Sequence, residues 1–180
     1  MRHSGPIFKK PRPMSTGHLS IDAQALYAQM QKDLRAQVSE SAHLVGITTG
    51  GAWLAEQLQA DWKRPSLLGV VSSSMHRDDY AKRGLSESVA TRLPFAVDGA
   101  VIWLIDDVLF TGRTIRAVVN ELFDYGRPAA VHLAVLVDRG GRELPVQADY
   151  AAARLTLPAN QSLRLMRKDA GQFGFSVEDR

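Results

Sequence analysis

Val101-Ile102-Trp103-Leu104-Ile105 is the segment that most restricts what this chain can become. Five consecutive apolar residues without polar alternation describe a strand covered on both faces, as in a parallel sheet flanked by helices. The rest of the chain fits that demand. Leu44-Val45-Gly46-Ile47, Leu67-Leu68-Gly69-Val70-Val71 and Val131 to Val137 are further strand candidates. Between them, Ala52 to Gln59 and Gly112 to Tyr125 read as helices, the second with Ile115, Val118, Val119 and Leu122 inward, Gly126 as its stop and Pro128 beyond it. Strands alternating with helices predict an α/β fold with a mostly parallel sheet.

An earlier helix is predicted after Ser20 as cap, with Ile21, Ala25, Leu26, Met30, Leu34 and Val38 on its apolar face. Two pieces break the rhythm. Val89-Ala90-Thr91-Arg92-Leu93 alternates and is expected to pair with the 67–71 strand as a hairpin, leaving Ser72 to Ser88 as a long polar lid loop. Leu163 to Met166 and Phe173 to Val177, around Asp169-Ala170-Gly171, predict a terminal hairpin.

Charge placement matters more than the net +3. Residues 1–21 hold Arg2, Lys9, Lys10 and Arg12 and no acid; removing those four leaves 18 bases against 19 acids, a body of −1. Residues 1–19 therefore read as a disordered basic leader, and 20–180 as one domain. The basic pI is no argument that the body binds nucleic acid. Zero cysteines exclude disulfides and thiolate catalysis. No apolar run reaches the length of a membrane span and the first twenty residues lack a signal-peptide stretch, so a cytoplasmic location without membrane contact is expected.

The chemistry is expected just past Ile105. Asp106 and Asp107 sit at the carboxyl end of a buried strand, the edge of an open α/β sheet where ligands bind. Because side chains alternate along a strand, the two carboxylates should point apart. Thr111, Gly112 and Thr114 then open a helix, whose unpaired amides and partial positive charge suit a phosphate. Carboxylates for hydroxyls and amides for phosphate are together complementary to a ribose 5-phosphate. Neither a P-loop nor a dinucleotide fingerprint is present. The five histidines show no metal-binding spacing, and His132, inside a strand pattern, reads as structural.

The apolar strand, paired acids, two spacers and Thr-Gly closely resemble the phosphoribosyl-pyrophosphate (PRPP) signature of type I phosphoribosyltransferases. Asp106 to Ala117, Asp124-Tyr125-Gly126-Arg127-Pro128, Leu133 to Gly140, Arg142-Glu143-Leu144-Pro145, Ala148-Asp149-Tyr150 and Arg77-Asp78-Asp79 resemble one branch in particular, the pyrimidine operon attenuator/uracil phosphoribosyltransferase (PyrR) family. The resemblance implies a type I phosphoribosyltransferase sheet, the substrates uracil and PRPP, the products UMP and pyrophosphate, Mg²⁺ and a homodimer or higher homo-oligomer. It implies that Asp106 and Asp107 hold the ribose hydroxyls, one through Mg²⁺ and water. Val108, Leu109, Phe110, Thr111, Gly112, Arg113 and Thr114 would wrap the 5-phosphate. The lid, with His76, Arg77, Asp78, Asp79, Lys82 and Arg83, would close over pyrophosphate, Arg77 counting among the catalytic residues. Val137, Asp138 and Arg139 would lie near the base.

Two departures stand out. Active relatives read Lys-Thr-Arg-Gly where this chain has Thr48-Thr49-Gly50-Gly51, so the pyrophosphate loop has no basic pair and would rely on the backbone amides of a Gly-rich loop. RNA-binding relatives carry more bases after the Asp-Arg-Gly; this chain keeps Arg142 but has Gly141, Gln147 and Ala153 in place of His, Arg and Lys. Phosphate contacts dominate nucleic-acid affinity, so the expectation of RNA as a partner is weakened. Three readings stay open: a uracil phosphoribosyltransferase with a pyrimidine-regulatory role, a UMP-sensing RNA-binding attenuation regulator with little catalysis, and a phosphoribosyltransferase for another base or a degenerate nucleotide-binding protein.

Overall fold

The computed structural model describes residues 21–72, 90–168 and 171–179. The leader, the lid loop with Val89, and the pair Asp169-Ala170 lie outside them. In chain order the elements are α1 (Ala23–Arg35), β1 (His43–Ile47), α2 (Gly50–Asp61), β2 (Gly69–Val71), β3 (Val101–Leu109), α3 (Arg113–Tyr125), β4 (Ala130–Asp138), β5 (Tyr150–Arg154), β6 (Gln161–Arg167) and β7 (Phe173–Asp179). Strands β2-β1-β3-β4-β5 form one sheet in that order, every pair parallel, and β6-β7 form a separate antiparallel hairpin. The expected α/β class and terminal hairpin are both present.

β3 lies mid-sheet, and Ile102, Leu104 and Ile105 are fully buried. Each such side chain contributes about 1.5–3 kcal/mol through removal from water. Its two faces feed two cores. On one, Trp103 and Ile105 pack with Tyr27, Met30 and Leu34 of α1, Leu54 and Leu58 of α2, and Leu165 and Phe173 of the hairpin. On the other, Ile102 and Leu104 pack with Ile115, Val118 and Leu122 of α3. The apolar run is thus covered on both sides, as its composition demanded.

The first helix differs in detail from expectation. Asp22, not Ser20, is its cap, the carboxylate accepting from the Ala25 amide at 2.9 Å. Its buried stripe is Ala23, Tyr27, Met30 and Leu34, spaced at 3.6-residue periodicity, while Ala25 faces solvent. The stretch before β3 meets β2 at a single antiparallel bridge, Val70 with Arg92, closed by reciprocal 2.8 Å hydrogen bonds, rather than as a full hairpin. β5 is a strand the sequence pattern does not announce. Ala151-Ala152-Ala153 has little intrinsic strand preference, and pairing with β4 over Ala134–Asp138 decides its state. His132 stacks on Trp103 at 4.7 Å and faces Asp149 at 3.5 Å, in keeping with a structural role. Among the described residues, no helix is long and apolar enough to cross a membrane.

Candidate active site at the carboxyl edge of the sheet

From β1 the chain passes through α2 to β2 on one side, then returns across β1 to β3 on the other. That reversal makes the β1/β3 boundary a topological switch point, where open α/β sheets form their crevice. The β1–β3 ladder ends at Gly46 opposite Ile105, whereas β3 continues against β4 to Leu109 opposite Asp138. Past Ile105, β3 therefore has a strand on one flank and the Thr48–Gly51 segment on the other. Asp106 and Asp107 occupy that position.

The alternation of the strand separates the two carboxylates. Asp106 is only 4% exposed and its Oδ1 accepts the Asp107 amide at 3.0 Å. Asp107 is half-buried and lies against the start of α2. A Cβ on Gly50 would stand 2.5 Å from Asp107 Oδ2, so only glycine lets the carboxylate sit there. At Gly51 a Cβ would come 2.1 Å from the Ile105 carbonyl oxygen, which makes Gly51 the point where α2 touches β3. This corrects the expectation of a Gly-rich loop. The turn is Thr48-Thr49, whose peptide is cis, and Gly50 and Gly51 already belong to the first turn of α2. The Thr48 amide bonds to the Val71 carbonyl at 3.0 Å, tying this turn to the end of β2. The amino end of α2 carries no side-chain cap hydrogen bond, and its positive dipole end faces the same crevice as Asp107.

Beyond Asp107 the expected phosphate segment needs trimming. Val108 and Leu109 are not in the turn: they complete β3, and the Leu109 side chain is 1% exposed in the α3-side core. The turn is Phe110-Thr111-Gly112, with Arg113 and Thr114 opening α3. Gly112 is the N-cap at φ +89°, and a Cβ there would meet Val146 at 3.1 Å, so positive φ and close packing both require glycine. Thr111 Oγ1 accepts the Arg113 amide at 3.2 Å, and its carbonyl accepts from Glu143 and Leu144. Arg113 pairs with Glu143 at 2.7 Å on the surface. The N-cap Gly112 offers no side chain, and the first turn of α3 holds no acid, which keeps its start suited to an anion.

On the base side, Val137 is fully buried, so only its backbone faces the edge. Asp138 Oδ1 accepts the Gly140 amide at 3.0 Å and Oδ2 pairs with Arg142. Burial pushes the Asp138 carboxyl up, but the Arg142 hydrogen bond, the Gly140 amide and the charges of Arg142 and Arg154 outweigh it and hold the group below the ordinary carboxylate value. Arg139 is 3% exposed, donates to the Gln161 carbonyl at 2.8 Å and lies 4.0 Å over the Phe110 ring. Asp138, Gly140, Gly141, Arg142, Arg154, Leu155 and Thr156 line an open cleft of about 400 Å³. Arg154 and Thr156 carry no sequence signal, because they reach the cleft only through β5. Arg142, a base the RNA-binding pattern retains, donates to the carbonyls of Phe110 and Val146.

The lid residues His76, Arg77, Asp78, Asp79, Lys82 and Arg83 lie outside the described residues. The ends of that segment do not: Ser72 and Thr91 are joined by a 3.0 Å hydrogen bond at the edge of β2, so it leaves and re-enters beside the crevice. Among the described residues, no cluster of three His, Cys, Asp or Glu side chains could hold a metal ion alone. The Asp107 carboxylate at the crevice, with the buried Asp106 behind it, does fit Mg²⁺ that arrives with substrate phosphates completing its shell.

Switch-point crevice, paired acids and two helix starts define a class, and the comparisons give the same one. The phosphoribosyl transferase domain family model matches residues 19–156. Solved structures agree in fold: a hypoxanthine-guanine phosphoribosyltransferase from Bacillus anthracis (TM-score 0.58, 15% identity, 76% of this chain and 81% of that one) and the enzyme of Leishmania tarentolae in complex with GMP (TM-score 0.56, 18% identity, 81% and 85%). Curated relatives are much nearer in sequence. The "Bifunctional protein PyrR" of Ralstonia nicotianae is 49% identical over 166 residues, covering 88% of this chain and 95% of the relative. Its namesake in Nitrosococcus oceani is 43% identical over 176 residues, covering 94% and 97%. The chain belongs to the PyrR family of phosphoribosyltransferases.

Proposed function

We propose that this protein transfers the 5-phosphoribosyl group of PRPP to uracil, releasing UMP and pyrophosphate. The observation that carries the proposal is the meeting of Asp107, the α2 start and the β3–α3 turn in one crevice of a PyrR-family chain. The bond from ribose C1 to uracil N1 forms, the bond from C1 to the pyrophosphate oxygen breaks, and the N1 proton passes to solvent. Glycosyl transfer passes through an oxocarbenium-like state, so the protein's task is positioning and charge stabilisation. Asp106 and Asp107 accept hydrogen bonds from the ribose hydroxyls. The amides of Thr111 to Thr114 seat the 5-phosphate. Thr48, Thr49, Gly50 and Gly51 offer amides and hydroxyls, in place of a basic pair, to the leaving pyrophosphate. Asp106 and Asp107 would also hold Mg²⁺, which neutralises charge on that leaving group when bound. His76, Arg77, Lys82 and Arg83 are assigned to closing over it from sequence alone. The base is read by backbone groups of Val137 to Arg139, because the Asp138 and Arg139 side chains are engaged within the protein.

The relatives' name, bifunctional, supports a second role in pyrimidine regulation through RNA. A body of charge −1 and the internal bonds of Arg142 favour catalysis as the main activity of this chain. The proposal extends to a homo-oligomer in the cytoplasm. Absent basic side chains in the pyrophosphate segment lower the rate, since one positioned donor is worth about 10²–10³. The deciding measurement is UMP formation from labelled uracil and PRPP with Mg²⁺, beside adenine, guanine, hypoxanthine and orotate. Turnover with uracil alone, abolished in Asp107→Asn, supports the proposal. Binding of UMP without turnover on any base favours the sensor, and turnover on a purine or orotate replaces uracil as the substrate.

A further inference from the structure

Resting on the phosphoribosyl-transfer reading of this site, we propose that Arg142 is a positioning residue: its guanidinium bolts the phosphate turn after β3 to the end of β4 and fixes the distance between the phosphate seat and the base side. Arg142 sits in the β4–β5 connection and its side chain is 23% exposed. Each nitrogen has a separate task. Nε donates to the Val146 carbonyl at 3.0 Å. Nη1 donates to the Phe110 carbonyl and lies 3.4 Å from those of Leu109 and Gly140. Nη2 pairs with Asp138, whose side chain is 14% exposed. The first residue of the phosphate turn and the last residue of β4 are therefore linked through one planar group.

Phe110 is held independently as well. The Arg139 guanidinium covers its ring at 4.0 Å, and Gly141 lies so close that a Cβ there would stand 2.4 Å from the Phe110 ring. Val146, which accepts from Nε, is also the residue packed against Gly112. Both ends of the Phe110–Gly112 turn are thus fixed to the connection that carries Arg142. Lysine could keep the charge pair with Asp138 but not the three-way fork, because its donors radiate from a single point. With Asp138 held ionised by these partners, the link persists at neutral pH.

The test compares wild type, Arg142→Lys, Arg142→Gln, Asp138→Asn and the Arg142→Lys/Asp138→Asn pair. Three quantities are read: kcat for UMP formation, the Kd of ribose 5-phosphate by calorimetry, and Tm. Ribose 5-phosphate engages the phosphate turn and the β3 carboxylates but not the base side, so its Kd should change less than about threefold in folded variants. By contrast, kcat should fall about 10²-fold, the loss associated with roughly 1 Å of misplacement between reacting groups. Arg142→Lys should lose less than Arg142→Gln, and the double variant no more than the worse single one. Full kcat in folded Arg142→Gln overturns the role. So does a parallel fall of kcat, ribose 5-phosphate affinity and Tm, the mark of a merely structural residue. If Arg142→Gln does not fold, the same split in Asp138→Asn decides. Absence of transfer by the wild type with every base would instead remove the phosphoribosyl-transfer reading itself.

Discussion

Gly50→Ala isolates the contact on which the crevice depends. The added methyl would lie 2.5 Å from Asp107 Oδ2 and 2.6 Å from its Cγ, whereas ordinary contact begins near 3.4 Å. The carboxylate must therefore retreat by about 0.9 Å, the difference of those distances. Stability should change by no more than about 1 kcal/mol. Gly50 is not among the positive-φ glycines, and the roughly 0.4–1 kcal/mol that alanine gains from the unfolded state offsets part of the cost of a 2.9 Å approach to the Asp107 Cβ, which is fixed to β3. The Tm is expected to stay within about 4 °C, since 1 kcal/mol corresponds to roughly 2–4 °C at this size. Activity should fall about 10²-fold in kcat/KM for PRPP, the scale of a 1 Å misplacement. Gly51→Ala is the contrasting control. Its methyl would meet the Ile105 backbone at 2.1 Å, which cannot yield, so a loss of about 1–3 kcal/mol is expected. A thermal melt and the UMP assay on both variants suffice. Wild-type kcat/KM in Gly50→Ala would refute the claim that Asp107 works from its place against α2.

Other outcomes follow from the same geometry. Gly112→Ala should destabilise by about 1–3 kcal/mol and raise the KM for PRPP, because φ +89° and Val146 both oppose a side chain; urea denaturation and steady-state kinetics check this. The Asp138 carboxyl is depressed when folded, so the unfolded chain binds more protons between the two pKa values. Its stabilisation is present above the ordinary value of 3.8 and is lost as pH falls through the lower folded value, and Asp138→Asn should flatten that acid limb in pH-dependent melts. Tyr27 and Tyr150 have the opposite sign. Burial first, then hydrogen bonds to Asp61 and Asp33, raise both phenols above 10.0, so their stabilisation is present below that value and fades as pH rises past it. Tyr27→Phe should cost about 1 kcal/mol at neutral pH by removing the 2.7 Å bond from α1 to α2, with a shallower alkaline decline in the melts.

The elements read correctly from sequence share one property: their signal is local. α3 carries its period in Ile115, Val118 and Leu122, and its ends in Gly112 and Gly126. The hairpin β6–β7 is visible as two alternating runs about a glycine. β5 fails that criterion, since three alanines say nothing until β4 supplies a partner. The cap of α1 passed from Ser20 to Asp22 because both types can cap, and only the helix register chooses. β3 outran its apolar run because the ladder to β4 continues through Asp106 to Leu109, whatever the polarity of the side chains.

By itself the sequence determined that a buried strand would deliver Asp106 and Asp107 to a sheet edge, followed by a Thr-Gly turn and a helix start. These follow from side-chain alternation and turn chemistry, which act over a few residues. Tertiary structure alone decided that Gly50 leaves room for Asp107, that Gly51 is where α2 meets β3, and that Arg142 joins Phe110 to Asp138. Such pairs are far apart in the chain. Their meeting depends on strand order, parallel register and close packing, and no stretch of sequence carries these on its own.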